Sequence, residues 1–156
     1  MKIAELPFRE RPVLELLHLG QHRDQPDRDY AGYGWARVDR LWLAVGEQPG
    51  MRVDDALVLA LHSADDGESL PDDVELEFEL PGAPPVSVLA SAFLERWLPA
   101  LPRASAVVLA LCNPYRAVLP RPAGADATIH YGLGDVESWR EDGERIILTA
   151  DAWRTV

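Results

Sequence analysis

The chain has 156 residues, a single cysteine and a formal net charge of -11. A chain of this length buries roughly 70% of the surface that its unfolded form exposes, so no disulfide or metal is needed to hold a core. No long apolar run is present, and charged residues interrupt the N-terminus. We therefore expect a cytoplasmic protein with no membrane span, no cofactor and a single domain over residues 1–156.

Acidic residues are concentrated in one part of the chain. Residues 53–95 contain eleven Asp and Glu and no Lys or Arg, whereas residues 96–125 contain four arginines and no acid. Because a surface of this sign repels a phosphate backbone, the composition argues against a nucleic-acid partner. The acidic face suits a basic protein as the partner, or it is simply a solvated surface that keeps the protein soluble, which is the simpler interpretation.

The first predicted elements are three strands. Residues 32–38 and 41–45 are rich in aromatic and aliphatic side chains and are predicted to pair through a turn at Asp39 and Arg40. Residues 56–61 form an uninterrupted apolar run, which predicts a strand buried on both faces.

The middle of the chain predicts a hairpin followed by a helix. Residues 74–80 alternate between apolar and acidic side chains, which places Glu75, Glu77 and Glu79 on one face of a strand. The proline-rich residues 81–85 end this strand, and residues 86–88 return as its partner. Apolar side chains at helical spacing then predict the main helix at about residues 90–98.

The last third predicts strands again. Residues 106–111 nearly repeat residues 56–61, and residues 127–133 form a further strand. Asp142 and Gly143 predict a hairpin turn between residues 136–140 and 145–149. The two similar runs are expected in the same sheet, where a parallel arrangement would bring their ends to one edge. The predicted fold is α+β, with a mixed sheet of about six to nine strands and one main helix.

Each of the similar runs ends at a chemically capable side chain, His62 in one and Cys112 in the other. A thiolate nucleophile needs a nearby base, so His62 is the candidate base, with Asp65 to orient its ring and Arg116 near the thiol. The spacing is similar to that of caspases, but neither their Gln-Ala-Cys-x-Gly sequence nor their glycine after the histidine is present. A cysteine that simply packs at the end of a core strand also explains the pattern, and we favour this interpretation.

Aromatic residues provide a further signal. Tyr33, Trp35 and Trp42 lie close together in the sequence, where they either fill a core or form a platform for a sugar or a peptide. The leading hypothesis is a non-enzymatic accessory protein that binds another protein through an acidic or an aromatic surface. A cysteine-dependent hydrolase and a small-ligand binder are the alternatives, and no metal site is predicted.

Overall fold

The described part of the chain is built mostly of strands. The computed structural model describes residues 34–61, 63, 72–78, 86–113, 116–137, 140–143 and 145–156. The strands are β1 (Gly34–Val45), β2 (Gln48–Ala60), β3 (Glu75–Phe78), β4 (Val86–Leu89), β5 (Ala106–Ala110), β6 (Thr128–Leu133), β7 (Arg140–Asp142), β8 (Arg145–Ala150) and β9 (Ala152–Thr155). Helix α1 (Ala90–Trp97) runs into a short 3-10 helix (Leu98–Ala100).

Seven of these strands form one mixed sheet in the order β7-β8-β1-β2-β5-β6-β9, and β3 pairs with β4 in a separate hairpin. Strands β2 and β5 are parallel neighbours whose register runs from Ala56 opposite Ala106 to Ala60 opposite Ala110. The two similar runs of the sequence therefore lie side by side. The predicted α+β class, with its mixed sheet and one main helix, is confirmed.

Strands β8 and β9 lie on opposite sides of the sheet but follow each other in the chain, with a bend at Asp151. Strand β8 pairs with β1, and β9, which follows it after Asp151, pairs with β6. The side chain of Trp153 reinforces this closure, because its indole Nε1–H donates to the Ala44 carbonyl oxygen of β1 at 3.0 Å. The β8–β9 segment thus links strands β1, β2, β5 and β6 into a closed ring of pairings.

Two clusters of buried side chains occupy the two faces of the closed sheet. The inner cluster includes Val58 of β2, Val108 of β5 and Leu148 of β8. The outer cluster takes the alternate residues of β2 and β5, together with Phe93 of α1 and Tyr131 of β6. Because both faces of β2 and β5 are covered, these strands carry continuous apolar runs.

One predicted turn is wrong. No turn occurs at Asp39 and Arg40, because β1 continues through both residues and pairs with β2 instead. The chain reverses at Gly46, whose φ of +56° suits a tight turn. Trp35 lies opposite Leu59 in the register and Trp42 opposite Arg52, so the two tryptophans are not cross-strand partners.

The other boundaries differ by a few residues. The hairpin turn at Gly143 is present, but β7 starts at Arg140, where the predicted strand ended. Strand β9 and the first half of β2 were not predicted from the sequence. Both of these segments carry charged or turn-favouring residues and depend on their neighbours in the sheet for their conformation.

Candidate functional site

The ends of the two similar strands lie at one edge of the sheet. Beyond the last ladder pair, the backbone N–H of Leu61 donates to the Ala110 carbonyl at 3.1 Å, and both Leu61 and Leu111 are buried. Cys112 follows as a partly buried free thiol. Its proposed partners His62 and Asp65 lie outside the described residues, so their approach to Cys112 stays a prediction.

The loop after Cys112 is held by a buried amide. The side chain of Asn113, 1% exposed, donates from Nδ2 to the Ala117 carbonyl and accepts from the Ala117 N–H, both at 2.9 Å. Its backbone also exchanges two hydrogen bonds with Gly134 after β6. The polar groups of Asn113 are used structurally, a role that the Asn-Pro turn signal in the sequence does not reveal.

Arg116, in the loop after Cys112, forms an ion pair with the carboxylate of Asp151. Its Nη2 lies 3.3 Å from Asp151 Oδ2, at the bend between β8 and β9. The sequence placed Arg116 four residues from Cys112 as a candidate activating charge. The ion pair gives this guanidinium a different partner, and it ties the loop after β5 to the β8–β9 bend.

Several acids of the block at residues 53–95 have internal partners. Asp55 accepts hydrogen bonds from the backbone N–H and the hydroxyl of Ser105, both at 2.9 Å, and from the Arg37 guanidinium. These bonds, chiefly those from Ser105, hold the pKa of the Asp55 carboxyl below its usual value. Asp73 accepts from the Ser91 N–H at 3.2 Å and from the Ser91 hydroxyl, and so caps the start of α1.

The remaining described acids of the block include Glu75 and Glu77 on β3. Val74 and Leu76 are buried in the outer cluster, so the alternating glutamates lie on the opposite side of the strand. In the β3–β4 register Glu75 faces Leu89 and Glu77 faces Ser87. We call these four residues the acidic hairpin face. Glu79, predicted to extend it, lies outside the described residues.

The acidic hairpin face combines charge with an exposed apolar group. Leu89 is 40% exposed, as one of a few large apolar side chains that the described residues leave accessible. Neither Glu75 nor Glu77 forms an ion pair with any residue that the structure describes. Two unpaired carboxylates beside an exposed leucine are suited to a partner that offers cations and an apolar side chain together.

Of the three predicted aromatic site residues, the structure describes the side chain of Trp42. This side chain is partly buried, belongs to neither core cluster and has the Arg145 guanidinium 5.9 Å from its ring centroid. Trp35 is a residue of β1, but its side chain, like the whole of Tyr33, lies outside the description. The structure therefore does not test the predicted three-residue platform.

A cavity lies away from all of these residues, beneath the C-terminal end of α1. Its volume is about 270 Å³, and its walls include Leu94, Leu101, Val107 and Pro122. This volume is slightly smaller than that of most small-molecule sites, and the polar groups at its rim, among them Glu95, Arg103 and Asp126, are mixed in sign. The sequence gave no indication of this cavity, because its small lining residues come from two distant loops.

His130 is a buried polar side chain with a hydrogen-bond partner on the neighbouring strand. The ring lies on β6, with Nδ1 2.8 Å from the Thr155 hydroxyl of β9. Burial lowers the pKa of this imidazole, which favours the neutral form. His130 is therefore a packing residue of the β6–β9 pair.

Comparison with protein-family models, with curated proteins and with solved structures found no match for this chain. Within the described residues, no helix has the length and apolar character needed to cross a bilayer. The same residues contain no group of three or more His, Cys, Asp or Glu side chains suited to hold a metal ion. Any function therefore has to be inferred from the chain's own geometry.

Proposed function

We propose that the protein is a non-enzymatic binding module that recognises a basic protein surface through the acidic hairpin face. The observation that carries this proposal is the pair Glu75 and Glu77, without an ion pair among the described residues, with Glu75 directly opposite the exposed Leu89 and Glu77 opposite Ser87. Complementary charge speeds encounter and sets specificity, while the buried apolar contact supplies much of the affinity.

The underside of the hairpin supports this role. Leu76 is fully buried, and the Ala90 N–H at the start of α1 donates to the Val74 carbonyl at 2.8 Å. The hydrogen bonds from Ser91 to the Asp73 side chain hold the same junction between the hairpin and α1. A face that is already held in place loses little conformational entropy when a partner binds, so each contact contributes more to the affinity.

The test uses a short labelled peptide of alternating lysine and leucine, with a lysine–serine peptide of equal charge for comparison. Replacing both glutamates in E75Q/E77Q should weaken binding of the lysine–leucine peptide about fivefold at low salt, as expected for two partly exposed charge contacts. L89S should weaken the lysine–leucine peptide and leave the lysine–serine peptide unchanged.

The matched control is E47Q/D126N, which removes two exposed acids elsewhere and changes the net charge equally. Fluorescence anisotropy over a range of salt concentrations measures both effects. Equal weakening in the control and in E75Q/E77Q would mean that only net charge matters, and the proposal would be abandoned.

A second candidate function is hydrolysis by Cys112 with His62 as the base. It is favoured by the parallel register of β2 and β5, which brings the ends of the two runs to one edge. The pH dependence of thiol alkylation tests it, because an activated thiolate reacts rapidly near neutral pH. If His62 activates Cys112, the alkylation rate should change in H62Q. A rate that follows an ordinary thiol titration and is unaffected by H62Q rules the hydrolase out.

A further inference from the structure

The cavity beneath the C-terminal end of α1 combines an apolar lining with a wall of small residues. The apolar lining includes Leu94, Leu98, Leu101 and Val107. The loop at residues 122–127 completes the wall, and four of its six residues are Ala or Gly. Because these side chains are short, a volume of about 270 Å³ stays open. Pockets for drug-sized ligands start at roughly 300 Å³, so this cavity fits a smaller molecule.

Both parts of the wall are held in place by hydrogen bonds. The Arg121 guanidinium donates to the carbonyl oxygens of Ala125 at 2.6 Å and Ala127 at 3.1 Å, which fastens the loop. In the segment before β5, the Arg103 carbonyl oxygen accepts a hydrogen bond from the Arg37 guanidinium at 2.7 Å. A cavity that has its shape before binding loses little conformational entropy when a ligand enters, so a few contacts can hold a small ligand.

Three charged side chains lie around this apolar lining. Glu95 comes from α1, Arg103 from the segment before β5 and Asp126 from the loop at residues 122–127; all three line the cavity and are exposed. None of these side chains forms an ion pair or a hydrogen bond with the residues that the structure describes. The two carboxylates and the guanidinium can therefore pair with a ligand. The cavity offers contacts of both signs beside an apolar surface.

We propose that this cavity binds a free α-amino acid with an apolar side chain. The carboxylate of the amino acid accepts hydrogen bonds from the Arg103 guanidinium, its ammonium group donates to Glu95, and its side chain packs against Leu94 and Val107. Asp126 adds a second negative charge to the rim, which disfavours a ligand that is only anionic. A free amino acid presents all three groups in a small volume, whereas a residue inside a polypeptide has neither charge.

Three small molecules with related branched carbon chains test which groups the cavity recognises. Leucine has both charges, 3-methylbutylamine lacks the carboxylate and 4-methylpentanoate lacks the ammonium group. Isothermal titration calorimetry should show leucine binding about fivefold more tightly than either of the others, because each of them loses one exposed charge contact. Equal affinity for leucine and 3-methylbutylamine would overturn the proposal in favour of a simple amine site, and equal affinity for 4-methylpentanoate would overturn it in favour of a carboxylic acid site.

Two single substitutions assign the charges of the ligand to their partners. R103Q should weaken leucine binding about fivefold without weakening 3-methylbutylamine, and E95Q should weaken leucine binding without weakening 4-methylpentanoate. The matched controls R154Q and E47Q each remove one exposed charge of the same sign elsewhere, and they should bind leucine as the unmodified protein does. Unchanged leucine affinity in both R103Q and E95Q would overturn the proposal.

A substitution that keeps every charge tests the cavity itself. Ala125 is partly buried and lines the cavity, so the larger side chain in A125F should fill it and abolish leucine binding. Circular dichroism confirms that the variant is folded, and if it is not, the two charge substitutions still decide. Absence of binding by leucine, methionine and phenylalanine at millimolar concentration would overturn the proposal outright. The cavity shares no residue with the acidic hairpin face, so this outcome leaves the proposed peptide binding unaffected.

Discussion

At the scale of single residues, the side chain of Asp55 accepts several hydrogen bonds that join distant parts of the chain. It precedes the apolar run of β2, while its partner Ser105 directly precedes the matching run of β5. Asp55 also has a φ of +50°, a conformation in which Asp is better tolerated than most residues. One carboxylate therefore joins the beginnings of the two parallel runs and fixes their register.

This role predicts a pH-dependent effect of D55N. The lowered pKa of Asp55 means that its carboxylate stabilises the folded state at neutral pH, and that this contribution is lost as the pH falls below the ordinary value of 3.8 toward the depressed value. D55N should be less stable than the unmodified protein at pH 7, and the difference should shrink in acid. Urea unfolding across this pH range measures it.

The neighbouring residue provides the control for D55N. Asp54 pairs with the exposed Arg52 and accepts no backbone hydrogen bond from the residues that the structure describes, so D54N should change stability less at every pH. Equal effects of the two substitutions would show that Asp55 acts only as another surface charge.

At the scale of elements, the loops after β5 and β6 depend on left-handed backbone at defined positions. Gly134 has a φ of +75°, and a Cβ there would lie 2.2 Å from Asp151 Oδ2. Arg116, which pairs with the same carboxylate, also has a positive φ of 56°. The carboxylate of Asp151 can approach β6 closely because position 134 has no side chain.

A comparison of two glycine substitutions tests this close approach. Gly124 has nearly the same φ, +74°, but open space around its Cα. G124A should therefore cost only the backbone penalty of about 1–2 kcal/mol. G134A also forces the Asp151 side chain aside, and because this side chain is exposed and held by one surface ion pair, the substitution should cost about 0.5–1 kcal/mol more than G124A. Chemical unfolding gives both values, and similar values would show that Asp151 moves aside without cost.

The element scale also shows which predictions depended on local pattern. The helix and the β3–β4 hairpin were predicted within a residue or two over the described ranges, because proline, helical spacing and strict alternation are local signals. The turn at Asp39 and Arg40 was wrong, because charged residues are equally compatible with an exposed position inside a long strand. The pairing with β2 decided that the strand continues.

At the scale of the whole molecule, closure of the sheet depends on the β8–β9 segment and on Trp153. W153F should destabilise the protein by about 1 kcal/mol or more, because the Ala44 carbonyl loses its indole donor. W42F makes the same chemical change at a partly buried side chain whose indole N–H donates to none of the described residues, so its effect should be smaller. Urea unfolding measures the free energy of unfolding of both variants. An equal loss of stability in W153F and W42F would contradict the role of Trp153 in closure.

The candidate sites also differ in how much of each could be predicted from the sequence. Alternation along residues 74–80 was enough to place Glu75 and Glu77 on one face, and the acid-rich composition indicated the sign of that face. The surroundings of Trp42 could not be predicted from its neighbours in the chain. Arg40, Arg52 and Arg145 lie far apart in the chain and become neighbours only through the pairing of β1 with β2 and β8.

The sequence by itself determined the strand-rich α+β class, the main helix, the acidic hairpin and the similarity of the two buried runs, because each of these is encoded in consecutive residues. Tertiary structure alone decided the separate hairpin, the closure of the sheet and the internal use of Asp55, Asp73 and Arg116. Those features depend on contacts between residues far apart in the chain, and local periodicity carries no information about them.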